Sequence, residues 1–446
     1  MPQPTDYVAA DRRRRRRVVQ LVEAGPPVEI ANDLAEVLRS SPSSHLERLG
    51  LSLTVEYRGA NLRTMLGCSS IVGTFRFGQC SNTVDVIVQP KVSVVDVARM
   101  IRVGSSVSKS QQDIAYAYSA RGEIAAFFAL YVAQAIAAHL ATAQTRRFEM
   151  AYDEHSRTPR GRFHIARYAT HNIPHGRNTT MPCTFPTVTS DREATRVMLY
   201  VVRQLLAFAA AFSREERLAI EDACVSAIQM LRGVAFKVFT ARMLDSVLAA
   251  CDVTERGVLQ LCQMILSGLT ATPAFATPTQ TCSFQLSMPD IFERYIRAVW
   301  TAAGREDGFT APLSRWFGVP GIGKRVELDG LLRGHCTCVM EAKYKLLQSP
   351  TDYHMLESGV RRSDLYQVVA YASLRTVMAQ VVYLVYPRLG EGAPLEEVFA
   401  TRSFGQGARP IDVRVVIANL TSATPLIVSA WRRFLPGRTE TSDERH

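Results

Sequence analysis

Two carboxylates and a lysine lie at the ends of two short runs of apolar residues. Asp329 ends the first run, while Glu341 and Lys343 close the second. The glycine-containing segment between the runs is typical of a β-hairpin turn. Since side chains alternate along a strand, Glu341 and Lys343 share one face. Two acidic oxygen donors beside an ammonium group suit Mg²⁺, or alternatively Mn²⁺, together with a phosphate group.

The length of the hairpin loop decides whether Asp329 belongs to this cluster. A two-residue loop would pair Asp329 with Cys338 and turn the carboxylate to the opposite face from Glu341. A three-residue loop would place it on the Glu341 face, with Gly334 in the left-handed conformation that such loops need. We therefore predict an odd-numbered loop or a bulge.

Two predicted helices flank the hairpin. Residues 288–302 follow a helical pattern, with Asp290 as the expected N-cap and Glu293 in the first turn. Residues 363–377 form the second pattern, in which Gln367 and Tyr371 share one helical face. Taken alone, Glu293 is an ordinary first-turn carboxylate, and the Gln–Tyr pair is an ordinary amphipathic face.

An ordered set of six side chains resembles the core of the PD-(D/E)xK nucleases, in their RecB-like branch. Its members are Glu293, Asp329, Glu341, Lys343, Gln367 and Tyr371. The resemblance implies a restriction-endonuclease-like α/β/α domain. It implies metal binding by Asp329 and Glu341 with help from Glu293. It also implies catalytic roles for Lys343 and Gln367 in hydrolysing a phosphodiester.

The remaining sequence predicts a multi-domain α/β chain. At 446 residues, the chain is long enough for two or three domains. Strand-like runs favour a β-rich N-terminal domain, and alanine-rich helical patterns favour a helical middle region. The predicted parts are a basic arm (1–17), the β-rich domain (18–112), the helical region (113–270), a Thr/Pro/Ala-rich linker (271–282) and the nuclease-like domain (283–446). Within the helical region, residues 149–190 predict an extended basic connection.

The charge favours an acidic partner. The formal net charge is +11 and the pI is about 9.3, so nucleic acid is the first candidate. The arginine run Arg12–Arg17 fits either phosphate contact or a solvated arm. Further candidates for contact with nucleic acid are Arg160, Arg162, Lys324, Lys345 and Tyr371.

Several other functions are disfavoured. Nine cysteines without a Cys-x-x-Cys motif predict a reduced, cytoplasmic protein. The absence of an unbroken run of 18 apolar residues predicts no membrane span. Residues 318–325 approach a nucleotide-binding loop, but Arg325 replaces its Ser or Thr and a strand follows, so no bound nucleotide is expected. Strand parity turns Cys336 and Cys338 towards the core rather than towards a metal.

A wider resemblance links most of the chain to the McrC family, the nuclease subunits of McrBC-type 5-methylcytosine restriction systems. The blocks that carry it are Val88–Lys91, Thr158–Phe163, Thr184–Phe185, Ser190–Arg196, Phe292–Arg294, Glu341–Lys345 and Leu365–Tyr371. It implies docking, through the N-terminal domain, on a hexameric McrB-like AAA+ GTPase. That partner would recognise modified cytosine, and this chain would stimulate its GTPase and cut double-stranded DNA. Glu341 departs from the family's more frequent Asp, and the arginine run is not part of its pattern.

Two alternatives remain open at this stage. One is a non-cleaving adaptor that activates a AAA+ ring, with the nuclease-like core as a scaffold. The other is a stand-alone RecB-like nuclease without a GTPase. The ordered carboxylates and lysine favour cleavage, because a scaffold has no need of them.

Overall fold

The computed structural model divides the chain into two compact units, Met1–Ala125 with Gly268–His446 and Ala126–Ser267. We call them the first and the second unit. The structure describes residues 17–40, 46–47, 49–58, 61–79, 82–105, 124–142, 147–210, 212–270, 283–312, 316–318, 325–345, 360–389, 392–404 and 410–436. The basic arm up to Arg16, the linker 271–282 and Lys324 lie outside these residues.

The longer helices of the described chain are α1 (Asn32–Arg39), α2 (Val94–Ser105), α3 (Ile124–Thr142), α4 (Glu193–Ala209), α5 (Arg214–Met230), α6 (Ala241–Ala250), α7 (Val253–Gly268), α8 (Met288–Glu306), α9 (Arg362–Ala372) and α10 (Thr424–Phe434). The strands of the first unit are β1 (Arg17–Val22), β2 (Val28–Ile30), β3 (Leu51–Arg58), β4 (Asn61–Cys68), β5 (Ile71–Gln79), β6 (Asn82–Gln89), β10 (Leu269–Thr270), β11 (Ser283–Ser287), β12 (Trp316–Gly318), β13 (Arg325–Glu327), β14 (Gly330–Arg333), β15 (Thr337–Ala342), β16 (Val381–Arg388), β17 (Leu395–Phe404) and β18 (Ile411–Asn419). The strands of the second unit are β7 (Arg147–Ser156), β8 (Arg162–Phe163) and β9 (Met181–Thr189).

The N-terminal part of the first unit is β-rich, as predicted. One sheet has the order β1-β6-β5-β11-β10, and a second has the order β2-β4-β3. Alternate residues of β5 and β6, such as Phe75 and Val86, are fully buried in a shared apolar core. β6 ends at Gln89 because Pro90 has no N–H to continue the ladder.

A strand from beyond the predicted linker completes this N-terminal sheet. β11 pairs antiparallel with β5, with Ser287 opposite Ile71, and leads directly into α8. Helix α2 also packs closely on α8, since a Cβ on Gly104 would lie 3.0 Å from Cβ of Arg294. The predicted β-rich and nuclease-like domains are therefore parts of one compact unit.

The C-terminal sheet has helices on both faces. Its order is β14-β15-β16-β18-β17, in which the three central strands are parallel and the edge strands antiparallel. On one face, α9 covers a core that includes Val339, Val368 and Val382. On the other, α8 and α10 contribute Trp300 and Trp431, whose rings both contact Tyr383 of β16. β16 is buried along nearly its whole length, which agrees with its nearly continuous apolar sequence.

The second unit contains helices α4 to α7 and a three-stranded sheet of order β7-β9-β8. The prediction of an extended connection over 149–190 is wrong, because β7 and β9 pair antiparallel over most of their length. Pro182 and Pro186 argued against a strand at the position of β9, because proline is rare inside sheets. Both prolines lie outside the two residues, Cys183 and Thr184, that pair with β8. Arg147 and Phe148, inside the predicted helical region 113–270, likewise belong to strand β7.

Helix α3 is long and apolar enough to cross a membrane, judged by length and composition only. Of its apolar window, 72% is buried inside the structure. Gln134 and His139 interrupt the apolar sequence of this helix, so an unbroken run of 18 apolar residues does not occur. A buried core helix meets the same criteria of length and composition.

Candidate active site

The β14–β15 hairpin has the predicted odd loop. Arg333 pairs with Thr337, so the loop consists of the three residues 334–336. Continuing the register one step beyond Gly330 places Asp329 opposite Glu341. The two carboxylates therefore lie on the same face, as the three-residue alternative required.

Gly334 serves this loop in a different way from the one predicted. Its φ is not in the left-handed region, so that part of the prediction is wrong. A Cβ at this position would lie 2.9 Å from the ring of Phe309, and the Gly334 N–H donates to the carbonyl of Cys336 at 3.0 Å. The glycine is needed because the aromatic ring packs against the backbone, where any larger residue would clash.

Helix α8 begins at Met288, as the pattern predicted, but its N-cap lies three residues before the predicted one. Ser287 is the N-cap, and its side chain accepts a hydrogen bond from the Asp290 N–H at 3.4 Å. Asp290 lies in the first turn instead, after Pro289. The prediction of Asp290 as N-cap is wrong because a serine directly before the proline-containing turn also satisfies the cap.

Glu341 is the buried centre of the site, with 4% of its surface exposed. Its Oε1 accepts hydrogen bonds from Lys343 Nζ at 2.8 Å and from Gln367 Nε2 at 3.1 Å. Its Oε2 is buried and has no hydrogen-bond donor among the described residues. Burial and then the charge of Asp329 raise the pKa of Glu341 to about 7, although Lys343 opposes the shift. Among the described residues, one oxygen of this buried carboxylate is thus without a hydrogen-bond partner.

Asp329 is held by the backbone of the opposite strand. Its Oδ2 accepts a hydrogen bond from the Ala342 N–H at 2.8 Å, next to Glu341. The Asp329 carbonyl accepts a hydrogen bond from Arg297 Nε at 2.5 Å. Strand pairing and these contacts fix the carboxylate beside that of Glu341.

Lys343 and Gln367 form a connected hydrogen-bond network with Glu341. Lys343 Nζ also donates to Gln367 Oε1 at 3.0 Å, and Gln367 Nε2 donates to the Tyr371 hydroxyl at 2.7 Å. Burial alone would lower the pKa of Lys343, but the bond to Glu341 and the nearby carboxylates outweigh it and raise the pKa. The lysine is therefore a fixed cation, oriented by an amide from α9.

Glu293 is connected to the site by an arginine that was not identified from the sequence. Arg297, one turn further along α8, donates to the Glu293 carboxylate and, through its Nε, to the carbonyl of Asp329. The i, i+4 spacing of acid and arginine was the available signal. The structure therefore connects Glu293 to the hairpin by way of Arg297.

Asp364 is a second buried carboxylate that sequence reasoning did not identify. It is 7% exposed and accepts hydrogen bonds from Lys345 Nζ at 2.5 Å and the Tyr386 hydroxyl at 2.8 Å. Its charge contributes to the raised pKa values of both Glu341 and Lys343. Its position three residues before Gln367 on one helical face was the signal that could have found it.

The donor set suits one hard cation that keeps part of its water shell. Asp329 and Glu341 place two like charges together, and Glu341 Oε2, which has no donor among the described residues, is available as a ligand. Within the described ranges, no group of three or more His, Cys, Asp or Glu side chains is placed to hold a metal ion. Mg²⁺ is commonly bound by one or two carboxylates, with water and substrate phosphate completing its shell, so the residues present fit it.

The other predicted contact residues with described positions belong to both units. Tyr371 lies in the network and Lys345 pairs with Asp364, whereas Arg160 and Arg162 belong to the second unit. Both of these arginines are exposed, and the Arg160 guanidinium lies 3.9 Å from the centre of the Phe185 ring.

The predicted burial of Cys338 is confirmed, and Cys336 is half-buried. Both side chains are free thiols, and their sulfur atoms lie 3.6 Å apart. Burial raises the pKa of Cys338, which disfavours the thiolate that a metal would bind.

The fold and the site together define a multi-domain α/β protein with a lysine-linked carboxylate pair beside the carboxyl end of a parallel strand. Residues 66–387 match the family described as McrBC 5-methylcytosine restriction system component. The chain belongs to this family. No curated protein matches the chain.

Two solved structures are similar to the chain. A half-complex from a tetradecameric assembly of Thermococcus gammatolerans McrB AAA+ hexamers with bound McrC matches at 15% identity. The match covers 94% of this chain and 100% of that chain, with a TM-score of 0.49. A cryo-EM structure of the Thermococcus gammatolerans McrBC complex matches at 14% identity. It covers 64% of this chain and 88% of that chain, with a TM-score of 0.42.

Proposed function

We propose that this chain is the Mg²⁺-dependent DNA endonuclease subunit of an McrBC-like, modification-dependent restriction complex, with a PD-(D/E)xK domain as its nuclease. The observation that carries the proposal is the state of Glu341. One oxygen is bonded to Lys343 and Gln367, while the other is buried without a donor among the described residues. Such an orphaned carboxylate oxygen beside Asp329 supports a cation-binding role.

Each side chain then has a definite task in phosphodiester hydrolysis. Asp329 and Glu341 would hold the metal, with Glu293 assisting. When bound, Mg²⁺ would supply Lewis-acid stabilisation and would make a water molecule more acidic. Lys343 positions the attacking water or stabilises the negative charge that develops on the phosphate. Gln367 holds the ammonium group in place, and the products carry a 5′-phosphate and a 3′-hydroxyl.

Membership in the McrBC family supports a McrB-like AAA+ GTPase as the partner. The similar Thermococcus gammatolerans assembly contains McrC bound to McrB hexamers. In the proposed complex, the partner recognises modified cytosine and hydrolyses GTP. This chain stimulates that hydrolysis and cuts double-stranded DNA, with Arg160, Arg162, Lys324, Lys345 and Tyr371 as candidate DNA contacts.

The test is cleavage of cytosine-methylated and unmethylated plasmid in Mg²⁺. The chain is assayed alone and with the AAA+ protein encoded beside it, with and without GTP. Lys343→Ala is assayed in parallel, because it removes the ammonium and leaves both carboxylates. The GTP turnover of the partner, measured in the same tubes, reports whether the variant still folds and docks.

Each outcome selects one function. Cleavage that requires methylation and GTP and is lost in Lys343→Ala supports the restriction nuclease. Cutting by the chain alone would identify a stand-alone nuclease. Stimulated GTP turnover without any cutting would identify a non-cleaving adaptor.

A further inference from the structure

A tyrosine joins the candidate active site to the N-terminal sheet. Tyr344 directly follows Lys343, and its hydroxyl donates to Glu23 Oε2 at 3.2 Å. Glu23 comes immediately after β1 and is completely buried. The contact spans 321 positions of sequence, so it is a feature of tertiary structure only.

Glu23 is fixed within the N-terminal sheet. Its N–H donates to the Gln89 carbonyl at 2.8 Å, and the Lys91 N–H donates to Glu23 Oε2 at 3.4 Å. The following residue, Ala24, adopts φ +44, which places a sharp turn directly after the carboxylate. Burial raises the pKa of Glu23, and its Oε1 has no donor among the described residues. Burying such a group costs free energy, and the hydrogen bonds from Lys91 and Tyr344 to Oε2 offset part of that cost.

Tyr344 lies just beyond the end of β15, where the backbone of Lys343 is no longer held by strand pairing. β15 ends at Ala342, so Lys343 lies beyond the last strand residue and is tied to β16 by one bond, from its N–H to the Val385 carbonyl at 2.8 Å. The chain then turns, with the Lys345 N–H donating to the Lys343 carbonyl at 2.8 Å. A side chain fixed at the next position therefore restricts where the lysine backbone can lie.

The ring of Tyr344 is held as well as its hydroxyl. It contacts the ring of Phe292 on α8, with centroids 5.5 Å apart and planes at 53°. Phe292 is fully buried and precedes Glu293, the third predicted metal ligand. Tyr344 thus connects three parts of the first unit at one point, namely the end of β15, α8 and the end of β1.

We propose that Glu23 and Tyr344 are positioning residues that hold the Lys343 backbone so that its ammonium reaches both Glu341 and Gln367. This inference rests on the proposed nuclease function. Displacement of a catalytic group by about 1 Å can cost on the order of a hundred-fold in rate, so a lost anchor has a measurable effect. The N-terminal sheet is then part of the catalytic support, in addition to any role in docking.

The test compares two buried tyrosine hydroxyls in the full complex with its AAA+ partner. Tyr344→Phe removes only the hydroxyl that bonds Glu23. Tyr383→Phe is the matched control, since its buried hydroxyl donates to the Phe434 carbonyl at 2.6 Å, on the sheet face away from α9. We expect Tyr344→Phe to lower kcat for cleavage roughly ten-fold with KM for DNA unchanged, and Tyr383→Phe to keep the wild-type kcat.

Variants of Glu23 complete the test. Glu23→Gln keeps an oxygen that can accept the tyrosine hydrogen bond, so it should retain most of the wild-type kcat. Glu23→Leu should lower kcat as much as Tyr344→Phe does. The double variant should show no further loss of kcat. Wild-type cleavage by Tyr344→Phe, or equal loss in Tyr383→Phe, would overturn this inference alone. Failure of the wild-type complex to cut would overturn the nuclease proposal and this inference with it.

Discussion

Two buried glutamates, one in each compact unit, differ in how completely the protein pairs them. Glu255 in the second unit is 3% exposed, and its two oxygens accept from the two terminal nitrogens of Arg192 at 2.8 and 2.9 Å. Glu341 in the first unit is 4% exposed, but only its Oε1 has donors among the described residues. The two side chains are almost equally buried, so the difference between them lies in how their carboxylate oxygens are hydrogen-bonded.

The difference follows from the partners' chemistry. A guanidinium presents two parallel N–H donors that satisfy a whole carboxylate, and a pair of this kind is complete. An ammonium and an amide that share one oxygen leave the other oxygen free for a further ligand. A complete buried pair indicates a structural role, whereas an incomplete one next to a second carboxylate indicates a binding site.

The same substitution at both positions tests this distinction most strongly. Glu341→Gln removes the charge and one potential ligand oxygen while it keeps the size of the side chain. We expect the cleavage rate of the full complex to fall roughly a thousand-fold, because transition-state charge is no longer stabilised. The measurement is single-turnover cleavage of methylated plasmid, and a rate within a few-fold of wild type would contradict the assignment.

Glu255→Gln should affect stability and leave chemistry unchanged. It leaves the Arg192 guanidinium buried without its counter-charge, a change that typically costs about 3–5 kcal/mol. Urea denaturation followed by a probe in the second unit measures this cost, and cleavage per folded molecule should equal that of wild type. Glu221→Gln is the matched control, because the pair between Glu221 and Arg217 is about 40% exposed and should be worth less than about 1 kcal/mol.

The local part of the site could be predicted from the sequence. Side chains alternate with a period of two, so the choice between an even and an odd loop fully determined whether Asp329 faces Glu341. The structure has the three-residue loop, which confirms the register on which the prediction depended. The roles of these residues in catalysis stay predictions until cleavage is measured.

The parts that were missed depend on contacts between distant segments. Glu23 lies 321 positions from Tyr344, and β11 completes a sheet formed mainly by the first hundred residues. No local pattern encodes such pairs, because each partner alone reads as an ordinary surface or strand residue. Arg297 and Asp364, by contrast, lie at helical spacings from predicted residues and could have been found.

The incomplete pairing of Glu341 also predicts a pH dependence of stability in the metal-free protein. Its pKa rises from the ordinary value of 4.5 to about 7 on folding. The folded state therefore binds more protons between these two values, and its stability falls as pH rises through this window. The loss levels off above about pH 7 and amounts to about 3 kcal/mol.

Comparison with Glu341→Gln isolates this contribution from that of other carboxylates. The free energy of unfolding of wild type and variant is measured in a chelator between pH 4.5 and 8. The free energy of unfolding of the variant should rise relative to that of wild type as pH rises. Mg²⁺ at neutral pH should stabilise wild type alone. A constant difference in unfolding free energy across the range would mean that folding does not raise the pKa of Glu341.

The smallest expected effect concerns the amide that completes the Glu341 network. Gln367→Leu keeps the bulk of the side chain but removes one acceptor from Lys343 and one donor to Glu341 Oε1. Since the lysine keeps its direct bond to Glu341, we expect kcat to fall only about ten-fold, as for loss of one orienting contact. Gln380→Leu is the matched control, because Gln380 Oε1 accepts from the Thr337 N–H at the opposite end of β15. If both glutamine variants lose activity equally, the network supports the sheet. If only Gln367→Leu loses activity, the amide orients the lysine.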